Sequence, residues 1–162
     1  MLNSFENYNY NNTEDFSLNE YITYARVVDI YDGDTCTCII PFNNKYYKFN
    51  IRLAEIDTSE IKSKDVKHKN LALFAKKKLC SLISSDFNEL ELDIKRKDLR
   101  KLLNDKCYII KLKCGEFDKY GRLLGYLFNN INDCLDNEKS YNYCLIRENL
   151  AYKYDGGTKE II

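Results

Sequence analysis

Three runs of strand-like composition, joined by two tight turns, most constrain the fold of this chain. Apolar, β-branched and aromatic residues dominate these runs, which cover residues 24–31, 35–40 and 46–56. Asp32 and Gly33 form a typical hairpin turn after the first run, and Asn43 and Asn44 supply a second turn. Pro41 is expected to end the second run, because proline cannot donate to a strand ladder. The pattern predicts a three-stranded meander.

Helix and strand patterns continue through the rest of the chain. Apolar residues recur at helical spacing over residues 71–83, after a polar loop over residues 63–70, and the lysines at 76–78 are expected mainly towards solvent. Ser140 is a suitable N-cap for a helix over residues 141–148, and Asn149 suits the position after its end. Residues 107–113 and 122–128 have the composition of strands.

The segment over residues 89–106 has the weakest pattern. It is compatible with a short strand over residues 90–94 and a charged helical turn over residues 98–104. Five strands with an interposed helix indicate an α+β fold, namely a five-stranded β-barrel of the OB type with two or three flanking helices.

A chain of 162 residues with 44% hydrophobic residues is large and apolar enough for one globular domain. We expect a disordered tail rich in acids and asparagine over residues 1–20 and the folded domain over residues 21–162. The sequence contains neither an apolar run of about 18 residues nor a signal-peptide pattern. Together with seven scattered cysteines, expected to be reduced thiols, this predicts an intracellular protein with no membrane segment.

Charge is unevenly distributed along a chain whose formal net charge is zero. Zero net charge argues against strong non-specific binding of nucleic acid. However, residues 61–113 carry fifteen Lys and Arg against seven acids, whereas residues 1–20 carry four acids and no base. The basic stretch is either a binding face or an ordinary solvated surface, and the sequence leaves both interpretations open.

Three short stretches bring acids and arginines to strand ends and turns. They read Asp-Gly-Asp-Thr over residues 32–35, Arg-Leu-Ala-Glu-Ile-Asp-Thr-Ser-Glu over 52–60, and Asp-Lys-Tyr-Gly-Arg over 118–122. Each alone has an ordinary explanation: a hairpin turn, a capping acid, or an outward-facing charge. Their joint occurrence favours a site that holds a divalent cation beside a phosphodiester.

In order and content, these stretches resemble the motifs of the staphylococcal nuclease (thermonuclease) family over about residues 24–155. The resemblance implies a Ca²⁺-dependent nuclease that hydrolyses DNA and RNA at the P–O5′ bond and leaves 3′-phosphate ends. It further implies Ca²⁺ ligation by the side chains of Asp34 and Asp57 and by the carbonyl group of Thr58, a set of hard oxygen donors.

Further roles follow from the same resemblance. Arg52 and Arg122 would bind the phosphate, and Glu60 would orient or deprotonate the attacking water. Lys119 and Tyr120 would contact a neighbouring phosphate. We expect single-stranded or frayed nucleic acid as substrate and a monomeric protein.

Two departures from the family pattern bear on these expectations. Ser59 stands where family members commonly have proline, which leaves the Glu60 loop less preset. Residues 89–106 form an insertion relative to short members. The alternatives are a catalytically silent nuclease-like barrel that binds nucleic acid or a protein ligand, and an OB-type single-strand binder without chemistry. Degenerate copies lose acids or arginines, whereas all five acids and arginines of the motif positions are present here: Asp34, Arg52, Asp57, Glu60 and Arg122.

Overall fold

A computed structural model describes residues 2–156, except for the side chains of residues 2 and 3. The strands in chain order are β1 (Ile22–Ile30), β2 (Thr35–Phe42), β3 (Lys45–Leu53), β4 (Ile56–Asp57), β5 (Ile109–Phe117), β6 (Leu123–Phe128) and β7 (Tyr152–Lys153). The α-helices are α1 (Val66–Ile83), α2 (Arg96–Asp105) and α3 (Tyr141–Arg147). The last six residues of the predicted domain, 157–162, lie outside the described residues.

Five of the strands close into a barrel in the order β1-β2-β3-β6-β5. Neighbouring strands are antiparallel except β3 and β6, which pair in parallel over Ile51–Leu53 only. Alternate residues point into the barrel, where side chains such as Val27, Ile40 and Leu112 are fully buried. The predicted α+β fold, an OB-type barrel with flanking helices, is confirmed.

The turns between the first three strands form where the sequence predicts them. Asn43 and Asn44 adopt φ of 50° and 60°, as a tight hairpin turn with two left-handed residues requires. Pro41, however, lies within β2 and does not end it. The β1–β2 pairing stops at Ile39, so the missing N–H of Pro41 breaks no bond in that ladder.

The third run does not form one long strand over residues 46–56. Glu55 takes φ of 63°, a left-handed conformation that interrupts a strand. The interruption separates β3 from β4, which pairs with β7 in a small second sheet. The chain therefore turns away from the barrel just before Asp57.

Helix α1 begins at Val66, within the segment expected to be a loop. The carboxylate of Asp65 accepts a bond from the backbone N–H of His68 and caps this earlier start. Lys76 is 7% exposed, contrary to the expectation that it faces solvent. Its position on the inner side of α1 brings its charge near Asp29 and Asp32.

Residues 89–106 contain α2 but no strand, so the expected strand over residues 90–94 is wrong. Leu90 and Ile94 instead pack against the core from irregular backbone. The helix is longer than the expected turn, and it buries Leu99 and Leu103 one helical turn apart.

Helix α3 and its caps match the prediction closely. The hydroxyl oxygen of Ser140 accepts a bond from the N–H of Tyr143, and Asn149 has φ of 57°. At the other end of the chain, Leu18 is 3% exposed in the core and the ring of Phe16 contacts Phe42. The predicted domain start at residue 21 stays a prediction. No helix within residues 2–156 combines the length and apolar character needed to cross a membrane.

Candidate active site

One groove of about 1210 Å³ lies on the outside of the barrel, where β3 meets β6. Its walls come from the β1–β2 turn, the segment after β3, the β5–β6 loop and the chain around Tyr154. All eight predicted site residues line this groove: Asp34, Arg52, Asp57, Thr58, Glu60, Lys119, Tyr120 and Arg122. Three stretches that are far apart in sequence thus meet in one place.

Asp34 is positioned at the start of β2 by a dense set of hydrogen bonds. One carboxylate oxygen accepts bonds from both the backbone N–H and the hydroxyl group of Thr58, each at 2.8 Å. The other oxygen accepts from the hydroxyl of Thr35 at 3.0 Å. Asp34 is 4% exposed, so these bonds hold a buried carboxylate in a fixed orientation.

Arg52 lies between two carboxylates on the groove floor. Its Nη2 donates to Asp57 at 2.7 Å and lies 3.4 Å from Asp34. Its Nη1 donates to the carbonyl oxygens of Leu53 and Ile56, at 3.0 and 2.9 Å. These bonds span the interruption between β3 and β4, so the arginine both orders this turn and brings positive charge to the groove.

Tyr152, in β7, contacts the carboxylate of Asp57. Its hydroxyl donates to the second carboxylate oxygen of Asp57 at 2.8 Å, and burial together with this bond raises the pKa of the phenol. The sequence offered no signal for this role, because β7 reaches β4 only through the fold.

Asp32 adds a third carboxyl group, although the hairpin turn alone explains its presence in the sequence. It accepts a bond from the backbone N–H of Asp34 at 3.1 Å. Burial and the neighbouring charge of Asp34 raise its pKa to about 7. Asp32 therefore takes up a proton near neutral pH and does not add a full negative charge to the turn at that pH.

The groove gathers oxygen groups of the kind that hard divalent cations bind. Across residues 2–156, no three acidic, histidine or cysteine side chains converge closely enough to hold a metal ion by themselves. However, Asp34 and Asp57 both contact a single cationic nitrogen of Arg52, and Thr58 lies beside them. Two carboxylates and a carbonyl suit Ca²⁺, which accepts water and substrate oxygens as its remaining ligands.

The β5–β6 loop presents Arg122 from the opposite side. Asp118 accepts from Nε of Arg122 at 2.7 Å and from the backbone N–H groups of Tyr120 and Arg122, each at 2.9 Å. These bonds hold the pKa of the Asp118 carboxyl below its usual value, although burial opposes them. The guanidinium of Arg122 and the amine of Lys119 lie 5.5 and 5.1 Å from the ring centre of Tyr120, which is 73% exposed.

Glu60 lies on the exposed rim of the groove, in the irregular segment after β4. Its backbone carbonyl accepts from the N–H of Ser63 at 3.0 Å. The deeply buried residues of the site are therefore Asp34, Arg52, Asp57 and Thr58. Glu60, Lys119 and Tyr120 are exposed to solvent.

Asn142 bonds to the backbone of segments that form the groove. It was not identified from the sequence. This fully buried side chain donates to the carbonyl oxygens of Ala54 and Gly125, at 2.9 and 3.0 Å. It also accepts from the N–H of Leu127 at 3.2 Å. Helix α3 is thereby fixed to β6 and to the turn that precedes Asp57.

The chain matches no protein-family model, and no curated protein matches it significantly. Inferences about its function therefore depend on the residues of the groove and their geometry.

Proposed function

We propose that this protein is a Ca²⁺-dependent nuclease that hydrolyses phosphodiester bonds of DNA and RNA at the P–O5′ bond, leaving 3′-phosphate ends. The observation that carries this proposal is the meeting of three separate motif stretches in one groove. A scaffold without chemistry needs no such convergence of carboxylates, which repel phosphate unless a cation intervenes.

The groove contains groups suited to both charges of the reaction. Asp34, Asp57 and the carbonyl of Thr58 would hold Ca²⁺, which when bound polarises the phosphate and neutralises its charge. The buried position of the two carboxylates supports this role, since hydrogen bonds already fix their orientation.

The protein's own side chains supply the remaining steps. Arg52 and Arg122 donate to the non-bridging oxygens of the phosphate and stabilise the charge that develops as water attacks phosphorus. Glu60 accepts one proton of that water as the water oxygen bonds to phosphorus and the P–O5′ bond breaks. The departing 5′ oxygen takes up a proton from solvent and becomes a hydroxyl. The Asp118 bonds hold Arg122 in the groove during this exchange.

Release of acid-soluble fragments from single-stranded DNA, measured with Ca²⁺ and with EGTA, tests the proposal. We expect cleavage with Ca²⁺ only. Glu60→Gln should lower kcat by about 10²- to 10⁴-fold, because a neutral amide cannot accept the proton.

Glu55→Gln is the matched control, since Glu55 lines the same groove but bonds to the hydroxyl of Tyr143. Its variant should cleave at the wild-type rate. Binding of DNA without cleavage in either condition would reject the nuclease and favour a catalytically silent barrel.

A further inference from the structure

The outer face of the β2–β3 hairpin extends away from Arg52 as a continuous strip. Thr35, Thr37, Ile39 and Pro41 of β2 pair with Arg52, Asn50, Lys48 and Tyr46 of β3. Side chains two residues apart share one face of a strand. Tyr46, Lys48 and Asn50 therefore follow Arg52 along one face, and we name these three residues the hairpin strip.

The hairpin strip is exposed and carries one positive charge, that of Lys48. Residues 35–53 contain Lys45, Lys48 and Arg52 and no acid. Tyr46 is 77% exposed, and Lys48 and Asn50 are also exposed. The hydroxyl of Thr37 donates to the amide oxygen of Asn50 at 3.0 Å, which orients that side chain and leaves its NH₂ group as a donor.

One edge of β3 pairs with β2 over residues 45–52. The opposite edge, which faces β6, has no strand partner over residues 45–50 in the part of the chain that the structure describes. β6 pairs with β3 only at Ile51–Leu53, where its partner residues begin at Leu123. The stretch that precedes Leu123 is the β5–β6 loop, with Lys119 and Tyr120. The hairpin strip is thus continuous with the groove at Arg52. The β3–β6 register places the strip alongside the β5–β6 loop, which also carries a lysine and a tyrosine.

We propose that the hairpin strip binds the single-stranded nucleic acid on one side of the phosphate held at Arg52. This inference deepens the proposed function, because it assigns a binding track beyond the cleavage site. Lys48 and Asn50 contact phosphates, and an unpaired base stacks on Tyr46. Arg52 to Tyr46 spans roughly 20 Å along the strand, which accommodates about six stacked nucleotides at roughly 3.4 Å each.

Lysines on an exposed strand edge also have a protective explanation, since they prevent edge-to-edge pairing between molecules. That explanation needs charge but no exposed aromatic ring. Tyr46 beside Lys48 is the combination that single-strand binding requires, because bases stack on rings and phosphates pair with cations.

Binding of oligothymidylates to the whole protein in EGTA tests the strip without cleavage. Strands of about three and about nine nucleotides differ by the length that the strip accommodates. Wild-type protein should bind the longer strand more tightly. Tyr46→Ala should reduce this ratio of affinities on the order of tenfold. Lys48→Ala should lower the slope of log affinity against log salt by about 0.7, the value for one phosphate on a single strand.

Two control variants separate the strip from general surface effects. Tyr24→Ala removes another exposed tyrosine beside a lysine, on β1, and Lys101→Ala removes an exposed positive charge on α2. Both should retain the wild-type ratio of affinities. An equal loss in these controls, or an equal loss for a duplex of the same length, would overturn the proposal.

The assay also distinguishes failure of the strip from failure of the nuclease. A wild-type protein that cleaves with Ca²⁺ but shows no length-dependent gain in affinity would contradict the strip alone. A wild-type protein that shows the gain, loses it in Tyr46→Ala and never cleaves would support the strip and reject the nuclease.

Discussion

Asn142 illustrates how a single buried amide can hold a site together. Its three hydrogen bonds reach the turn after β3 and two residues of β6, which are otherwise joined through the short parallel β3–β6 pairing. Each bond satisfies a backbone group that is shielded from water. The side chain thus fixes the approach to Asp57 without contacting the groove's acids itself.

Asn142→Leu should lower the free energy of unfolding by about 3 kcal/mol, because three buried backbone groups each lose a hydrogen bond. The carbonyl oxygen of Gly125 still accepts from the N–H of Ala54. Chemical denaturation of the purified variant measures this loss. Asn129→Leu changes an exposed asparagine at the end of β6 and should cost less than about 0.5 kcal/mol. Equal stability of the two variants would contradict this expectation and would show that water takes over the hydrogen bonds of the Asn142 amide.

Between elements, the β1–β2 turn is packed directly against α1. A Cβ atom at Gly33 would lie 2.6 Å from Cβ of Ala75 and 3.2 Å from a methyl carbon of Thr58. Glycine is therefore needed at this position for close approach. The contact sets the distance between the helix and the turn that carries Asp32 and Asp34.

Gly33→Ala should destabilise the protein by about 1–3 kcal/mol through overpacking. Ala75→Gly in the same chain should partly restore stability, even though glycine in a helix alone costs about 1 kcal/mol. A double-mutant cycle in denaturant measures this coupling. Ala72→Gly, at another buried position of α1, should give no rescue. Rescue by both glycines would mean that loosening the helix, not removing the clash, relieves the strain.

At the scale of the whole molecule, Asp29 fixes α2 to the barrel. Its carboxylate, on β1, accepts bonds from Arg96 and Arg100 of α2, with distances of 3.1 Å to Nε of Arg96 and 2.7 Å to Nη2 of Arg100. Burial of Asp29 opposes its ionisation, but the two arginines outweigh burial and hold its pKa below the ordinary 3.8. The segment over residues 89–106 is attached to the barrel through this cluster as well as through its buried leucines.

The stability of the protein should therefore depend on pH in the acid range. Because the folded-state pKa of Asp29 lies below its unfolded value, its contribution is complete above about pH 4–5 and is lost as the pH falls through the folded pKa. Asp29→Asn should cost about 1 kcal/mol at pH 7, since half-exposed arginines form screened ion pairs. Thermal unfolding at several pH values measures both effects. Asp93→Asn changes an exposed acid just before α2 and should retain the wild-type profile.

Local chemistry explains what could be predicted from the sequence. The Asn43-Asn44 turn, the Ser140 cap and the left-handed Asn149 depend on backbone preferences within a few residues. Strand composition and the number of strands were sufficient to predict the barrel. The three motif stretches identified the residues that line the groove, because each motif contains its own chemistry in consecutive positions.

Long-range contacts decided the rest. Whether Lys76 is buried depends on which face of α1 meets the barrel. The break at Glu55 accompanies the pairing of β4 with β7, which lies at the far end of the described chain. The pairing of Arg52 with two acids and of Tyr152 with Asp57 follows from the same closure. The sequence alone determined the local elements and the chemical groups of the site. Tertiary structure decided their burial and charge partners, because both depend on surroundings that chain neighbours do not supply.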